Sequence, residues 1–247
     1  MNFLDANNKW TPEFMKYIEE TARPSIKLTF TKELTRMTDS KVGGKPWLPP
    51  MVQIPQDEDG TNYLFIAQVN WAQMPQLDGF PSHGLTSFFV KQDDTFGLLD
   101  QAYHVLHFED VRDIGEIDPF QPEDPDLYSP VLGGPYKLTG KPESKLIPYK
   151  NCLSEHFQLP PDHDEVAYSK YWDLSDASGS RIGGYPYFTQ DDPRSEDAIL
   201  LLQLDMEGDH KDYYVSWGDS GVANFFIRKE DLLRLDFSNV VYTWDCL

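Results

Sequence analysis

Ser40-Lys41-Val42-Gly43-Gly44-Lys45-Pro46-Trp47 returns later in the chain as Ser180-Arg181-Ile182-Gly183-Gly184-Tyr185-Pro186-Tyr187. Two further segments follow each copy in the same order. Tyr63-Leu-Phe-Ile-Ala-Gln-Val69 answers to Ala198-Ile-Leu-Leu-Leu-Gln-Leu204, and Gly84-Leu-Thr-Ser-Phe-Phe-Val90 to Gly221-Val-Ala-Asn-Phe-Phe-Ile227. The offsets are 140, 135 and 137 residues, a drift that loop insertions explain. Ordered repetition of this kind marks two similar units that bury a common core, so residues matched between copies are expected to serve architecture first. The middle segments are apolar on both faces, as central strands are. Each unit then closes on a β-rich run, Tyr103-His-Val-Leu-His-Phe108 or Val240-Val-Tyr-Thr-Trp244, so each half reads as loop, strand, strand, strand.

Working outward, Thr11, Pro12 and Glu13 give the cap and first turn of a short helix whose apolar positions are Phe14, Tyr17 and Ile18. Pro24 stops it. Ile26, Leu28 and Phe30 then alternate with Lys27, Thr29 and Thr31, the period of a strand with one buried face. Between the halves, residues 115–150 carry Pro119, Pro122, Pro125, Pro130, Pro135 and Pro142 with Gly133-Gly134, a composition that predicts an excursion without helix interior or central strand. Helical patterns follow at 151–157 and 162–172, and a last turn at 229–233. The fold class expected is mainly β with a few short helices (α+β): internally duplicated antiparallel β halves. The boundaries expected are one compact domain over 1–247, with an N-terminal helix in 1–24, a first repeat in 25–114, the excursion in 115–150 and a second repeat in 151–247.

Forty-one acidic residues against 21 Lys and Arg leave a formal charge of −20, with clusters such as Asp57-Glu58-Asp59 and no basic stripe. Nucleic-acid binding rests on cations that neutralise phosphate, and anionic bilayers attract basic segments, so neither partner is expected. A basic protein is the electrostatically suited partner. Cys152 and Cys246 stand far apart and outside any CxxC spacing. With no basic-then-apolar start and no run of 18 apolar residues, the chain reads as cytoplasmic.

The Ser-Lys-Val-Gly-Gly loop, the Phe-Ile-Ala-Gln strand and above all Trp217-Gly-Asp-Ser-Gly-Val-Ala-Asn-Phe-Phe-Ile227 together resemble the YwqG-like family of bacterial cytoplasmic proteins of unknown function. The resemblance covers roughly residues 20 to 245. It implies a largely β, roll-like, internally duplicated structure, and it carries over no catalytic residue.

Gly218-Asp219-Ser220-Gly221 looks like the nucleophile segment of chymotrypsin-like proteases, but Val222 follows where Gly-Pro is needed, and the nearest histidine, His210, has no orienting pattern. A tight turn with the Asp219 carboxylate accepting main-chain N–H groups explains it better. The Gly-Gly-x-Pro loops match neither a P-loop nor a dinucleotide fingerprint, and adjacent glycines more often supply positive φ and close packing. Gln68 and Gln203 are amides inside apolar strands and must find partners. Either they line a polar cleft or they tie each sheet to its own Gly-Gly loop, and duplication favours the tie. His104 and His107, three apart on a strand, face opposite ways and cannot share a metal. Cys152 and His156, one helical turn apart, read as a buried thiol beside a surface histidine. Asp205, Glu207, Asp209 and Asp212 miss the spacing of a calcium loop and read as a solvated hairpin.

No catalytic residue, cofactor or metal site is assigned. Lys41, Gln68, Arg181, Gln203, Trp217, Asp219 and Asn224 are the candidates to line a ligand cleft. The expected function is a binding or inhibitory protein-interaction module. The alternative is an enzyme or small-molecule binder whose cleft between the repeats uses Asp219 as base and Arg181 to hold an anion.

Overall fold

The structure, a computed structural model, describes residues 12–124, 127–148, 171–195, 197–209 and 211–247. Helix α1 (Pro12–Thr21) leads into β1 (Arg23–Thr31), β2 (Thr35–Arg36), β3 (Lys41–Val42), β4 (Leu64–Asn70), β5 (Leu85–Val90) and β6 (Tyr103–Phe108). The Pro-rich stretch holds β7 (Ile117–Asp118) and β8 (Tyr136–Lys145). Then come β9 (Arg181–Gly183), β10 (Ala198–Leu204), β11 (Glu207–Gly208), β12 (Tyr213–Val215), β13 (Val222–Arg228), helix α2 (Lys229–Leu233) and β14 (Val241–Asp245). The helices expected at 151–157 and 162–172 lie outside the described residues, except that 171–175 are helical.

Ten strands form one antiparallel sheet in the order β14-β13-β10-β9-β1-β8-β3-β4-β5-β6, nearly closed into a barrel-like shape. The order is symmetric about the β1–β8 pair, and the registers show how closely. Ile26 of β1 pairs with Ile182, and Tyr136 of β8 with Val42, the matching residue of the other copy. Residue i of β1 therefore corresponds to residue i + 110 of β8 (136 − 26 = 110). Thr29 pairs with Thr139, which is its own counterpart (29 + 110), so a pseudo-twofold axis runs between them. The same axis crosses the interior, where the counterparts Phe88 and Phe225 meet with ring centroids 4.8 Å apart. It leaves through the seam, where the Tyr103 hydroxyl donates to the carbonyl of its counterpart Val240 at 3.0 Å. Even the irregularity is copied: the register slips between Phe65 and Ala67 in β4 and between Leu200 and Leu202 in β10.

Strand exchange joins the halves. β1 precedes the first copy in the chain yet pairs with β9 of the second, while β8 precedes the second copy and pairs with β3 of the first. β5 is buried throughout, and β13 in every residue but Arg228, because the inner faces (Phe88, Val90; Phe225, Ile227) enter the common core and loops cover the outer ones. Truncating either central phenylalanine to alanine removes about 3–5 kcal/mol by the usual cost of such a cavity.

The Pro-rich stretch departs from expectation. Its residues 136–145 form β8, a strand at the centre of the sheet, despite Gly140 and Pro142. The reason lies in the pairing. The ladder to β3 covers only Tyr136 and Lys137, so the rest of β8 has a strand neighbour on one side alone and Pro142 sits along a free edge, where a missing N–H is tolerated. Gly140 is there for lack of room: a Cβ would stand 2.6 Å from Ile26 Cγ2 and 2.9 Å from Met74 Sδ.

Candidate functional site

The two Gly-Gly loops and the strands beneath them carry most of the candidate residues, and the registers set these residues in two rows. Lys41, Gln68 and Ser87 lie side by side in the first half, and Arg181, Gln203 and Asn224 in the second. The loops share one backbone form, with φ of +69° and +72° at Gly43 and Gly44 and of +71° and +72° at Gly183 and Gly184, a region that glycine enters without strain. In each half the glutamine holds the loop by three bonds. Gln68 donates to the carbonyls of Met37 and Asp39 (2.7 and 2.8 Å) and accepts from Trp47 N–H (2.9 Å). Gln203 donates to Ala177 and Gly179 (both 2.8 Å) and accepts from Tyr187 N–H (2.7 Å). Ser40 and Ser180 add a matched pair, their hydroxyls accepting from the N–H groups of Asn70 (2.9 Å) and Asp205 (3.0 Å).

The cations of the rows are buried with carboxylates from the Pro-rich stretch. Lys41 Nζ meets Asp118 Oδ2 at 2.8 Å with neither side chain exposed, and the same oxygen accepts Lys45 N–H at 2.8 Å. Arg181 Nη1 lies 3.0 Å from Glu143 Oε1, though out of line for a good hydrogen bond, while its Nη2 donates to the Ser178 carbonyl. Burial pulls both cations below their ordinary pKa, against the opposing pull of Asp118 on one and Glu143 on the other. A buried pair of this kind is costly to break from one side, about 3–5 kcal/mol, because the remaining charge is left uncompensated.

Of the seven candidate residues, Lys41, Gln68, Arg181, Gln203, Trp217 and Asn224 are at most 1% exposed, and Asp219 alone is open to solvent. Trp217 faces the interior, edge-on to Phe96 at 5.6 Å, and Asn224 donates to the Tyr187 carbonyl at 3.0 Å. The structure does not bring the seven together. Lys41 and Arg181 are separated by β8 and β1, and the halves meet through nine register pairs of β1 and β8 where the cleft was expected. Arg181 and Asp219 belong to the same half, one beneath the second Gly-Gly loop and the other on the turn before β13.

Ser220, at φ +57°, belongs to a turn closed by the main chain, Gly221 N–H donating to the Trp217 carbonyl at 2.9 Å. The closure expected from the Asp219 carboxylate falls instead to these backbone groups. His210 and the Cys152–His156 pair lie outside the described residues. His104 and His107 do face opposite ways: one ring packs on Tyr63, the other stacks on Phe237 at 4.5 Å. Burial, helped by His83, pushes His107 down to about 4. The acidic hairpin is only partly solvated. Asp205 Oδ2 accepts Gly179 N–H at 2.6 Å and Glu207 Oε1 accepts Ser180 N–H at 3.0 Å, so these two serve the second loop, and burial raises the pKa of both. Among the described residues no group of three His, Cys, Asp or Glu is placed to hold a metal ion.

Sequence reading missed Asp118 and Glu143, and it missed a cavity. About 420 Å³ opens between Gly43-Gly44-Lys45 and residues 121–124 and 127–133 of the Pro-rich stretch. Two others, about 500 and 480 Å³, lie by the seam against β6, β14 and residues 235–240. Neither Arg181 nor Asp219 lines any of the three.

Among the described residues no helix is long and apolar enough to cross a membrane. A family model described as "Domain of unknown function (DUF1963)" matches residues 40–246. No curated protein matches the chain.

Proposed function

From the premise that the chain belongs to this family of unknown function, we propose that it is a cytoplasmic protein-interaction module that binds, and in binding inhibits, a basic protein partner. The likeness to the YwqG-like family supports the compartment. The surface that leads into the Pro-rich stretch carries the reading. From Glu109 to Asp124 nearly every residue is exposed, with Glu109, Asp110, Asp113, Glu116, Glu123 and Asp124 set against Arg112 and against Arg36, which is paired with Asp113 at 2.9 Å. Large apolar side chains stand among these acids. Ile114 is 73% exposed, Phe120 50% and the neighbouring Leu34 72%. Apolar groups set among charges of mainly one sign are the make-up of an interaction face, in which burial supplies affinity and the field steers a partner of opposite charge. Six of the seven candidate residues, by contrast, hold the Gly-Gly loops or the core and are shut off from solvent.

An immobilised chain is expected to retain a basic protein from native cytosol at low ionic strength and to release it as salt rises. The double substitution Ile114→Asp, Phe120→Ser should lower retention about tenfold, a loss of about 1.4 kcal/mol, with the urea midpoint held. Retention that ignores both salt and the substitutions refutes the reading.

A further inference from the structure

We propose that the cavity beside Gly43-Gly44 receives an arginine or lysine side chain of the basic partner, an assignment that rests on the protein-binding reading above. Its walls suit a cation on an aliphatic stem. Ile54, Leu64, Phe65 and Val131 supply apolar surface, while Gln92, Gln121 and Glu123 add polar and acidic side chains to the lining. The volume, about 420 Å³, falls in the usual range for ligand pockets of about 300–1,000 Å³. Charge favours a cation. Lys45 is the one cation of the lining, and on the Tyr63 side Asp57, Asp93 and Asp100 act on the wall against Lys91, which is itself paired with Asp100 at 2.7 Å.

Symmetry supplies the second observation. Arg23 corresponds to Gly133 (23 + 110 = 133), as Ser25, packed on Gly184, corresponds to Pro135, packed on Gly44. In the second half Arg23 lays its guanidinium 4.5 Å from the ring centroid of Tyr185, the residue that follows Gly183-Gly184. Tyr185 is only 3% exposed and donates to the Thr21 carbonyl at 2.6 Å, so that place is filled from within the chain. In the first half Gly133 has no side chain to offer, Lys45 stands where Tyr185 does, and the space is the cavity. The protein thus carries in one half a loop covered by a guanidinium from within the chain, and in the other the same loop beside an open cavity, with Lys45 in place of the tyrosine ring.

The probe is Nα-acetyl-arginine methylamide, with its uncharged citrulline counterpart as control. Titration followed by amide NMR should give saturable shifts at Gly43, Gly44 and Phe65 for the arginine probe, at least tenfold weaker binding of the citrulline probe, and weakening with salt. Glu123→Lys, a change at an exposed residue, should weaken the arginine probe at least tenfold and leave the spectrum of the free protein otherwise in place. Equal binding of the two probes, shifts elsewhere, or indifference to Glu123→Lys overturns the assignment. If the arginine probe fails while the immobilised chain still retains a basic protein in a salt-dependent way, the pocket is wrong and the partner reading stands. If the probe binds and no basic protein is retained, the partner's side chain is ruled out as the occupant.

Discussion

Gln68 and Gln203 show what duplication does for a buried amide. A lone glutamine in an apolar strand could serve a ligand or its own backbone, but two at matching positions, each meeting two carbonyls and one N–H of its own loop, serve the backbone. Leucine at position 68 would strand three main-chain groups at about 1–3 kcal/mol each, with incomplete additivity. Gln68→Leu is therefore expected to lower stability by roughly 3 kcal/mol or more, and Gln203→Leu by a similar amount, in urea unfolding with unchanged slope. Very unequal losses would mean that the matched bonds are not matched in weight. These glutamines were legible in the sequence because the repeat displays them twice. Asp118 and Glu143 were not, since each reaches its cation from far along the chain, 77 residues from Lys41 in one case, and neither lies in a pattern that announces a partner. Nor can a repeat reveal Glu123 or Gln121, which have no second copy to mark them.

At the scale of elements, the strands that repeat were readable almost to their ends, because alternation or continuous apolarity persisted for six or seven residues. β8 was hidden. Its residues, Tyr-Lys-Leu-Thr-Gly-Lys-Pro-Glu-Ser-Lys, include both of the types that interrupt strands, and what makes a strand of them is the edge left free beside Pro142 and the close approach at Gly140. Both are tertiary circumstances. Valine at 140 would bring branched carbon into a space already filled by Ile26, Met74 and Pro75. Gly140→Val is expected to cost about 1–3 kcal/mol despite the better strand propensity of valine, by the usual penalty for overpacking. A stabilised protein in thermal unfolding would show that β1 and β8 have slack between them.

Across the whole molecule, the exchange of β1 and β8 ties the halves to each other, since each needs a strand that precedes its sister in the chain. Fragments 1–112 and 113–247 are accordingly expected to fold together when co-expressed, eluting as one species with the circular dichroism of the intact protein, whereas either alone remains unfolded or self-associates. A fragment that is monomeric and folded by itself would refute the mutual dependence. Symmetry of this depth could be foreseen from the repeated segments, but the exchange could not, because repeats report likeness and not which copy a strand will choose. The seam has a consequence of its own. Ladders of backbone hydrogen bonds bind every other neighbouring pair of staves, while β6 and β14 are clasped by the Tyr103 hydroxyl and by the ring of Tyr103 against that of Tyr242. A hoop with one clasp yields at the clasp, so breathing motions of the wall concentrate on the side opposite Thr29 and Thr139, and solvent first reaches the aromatic interior there.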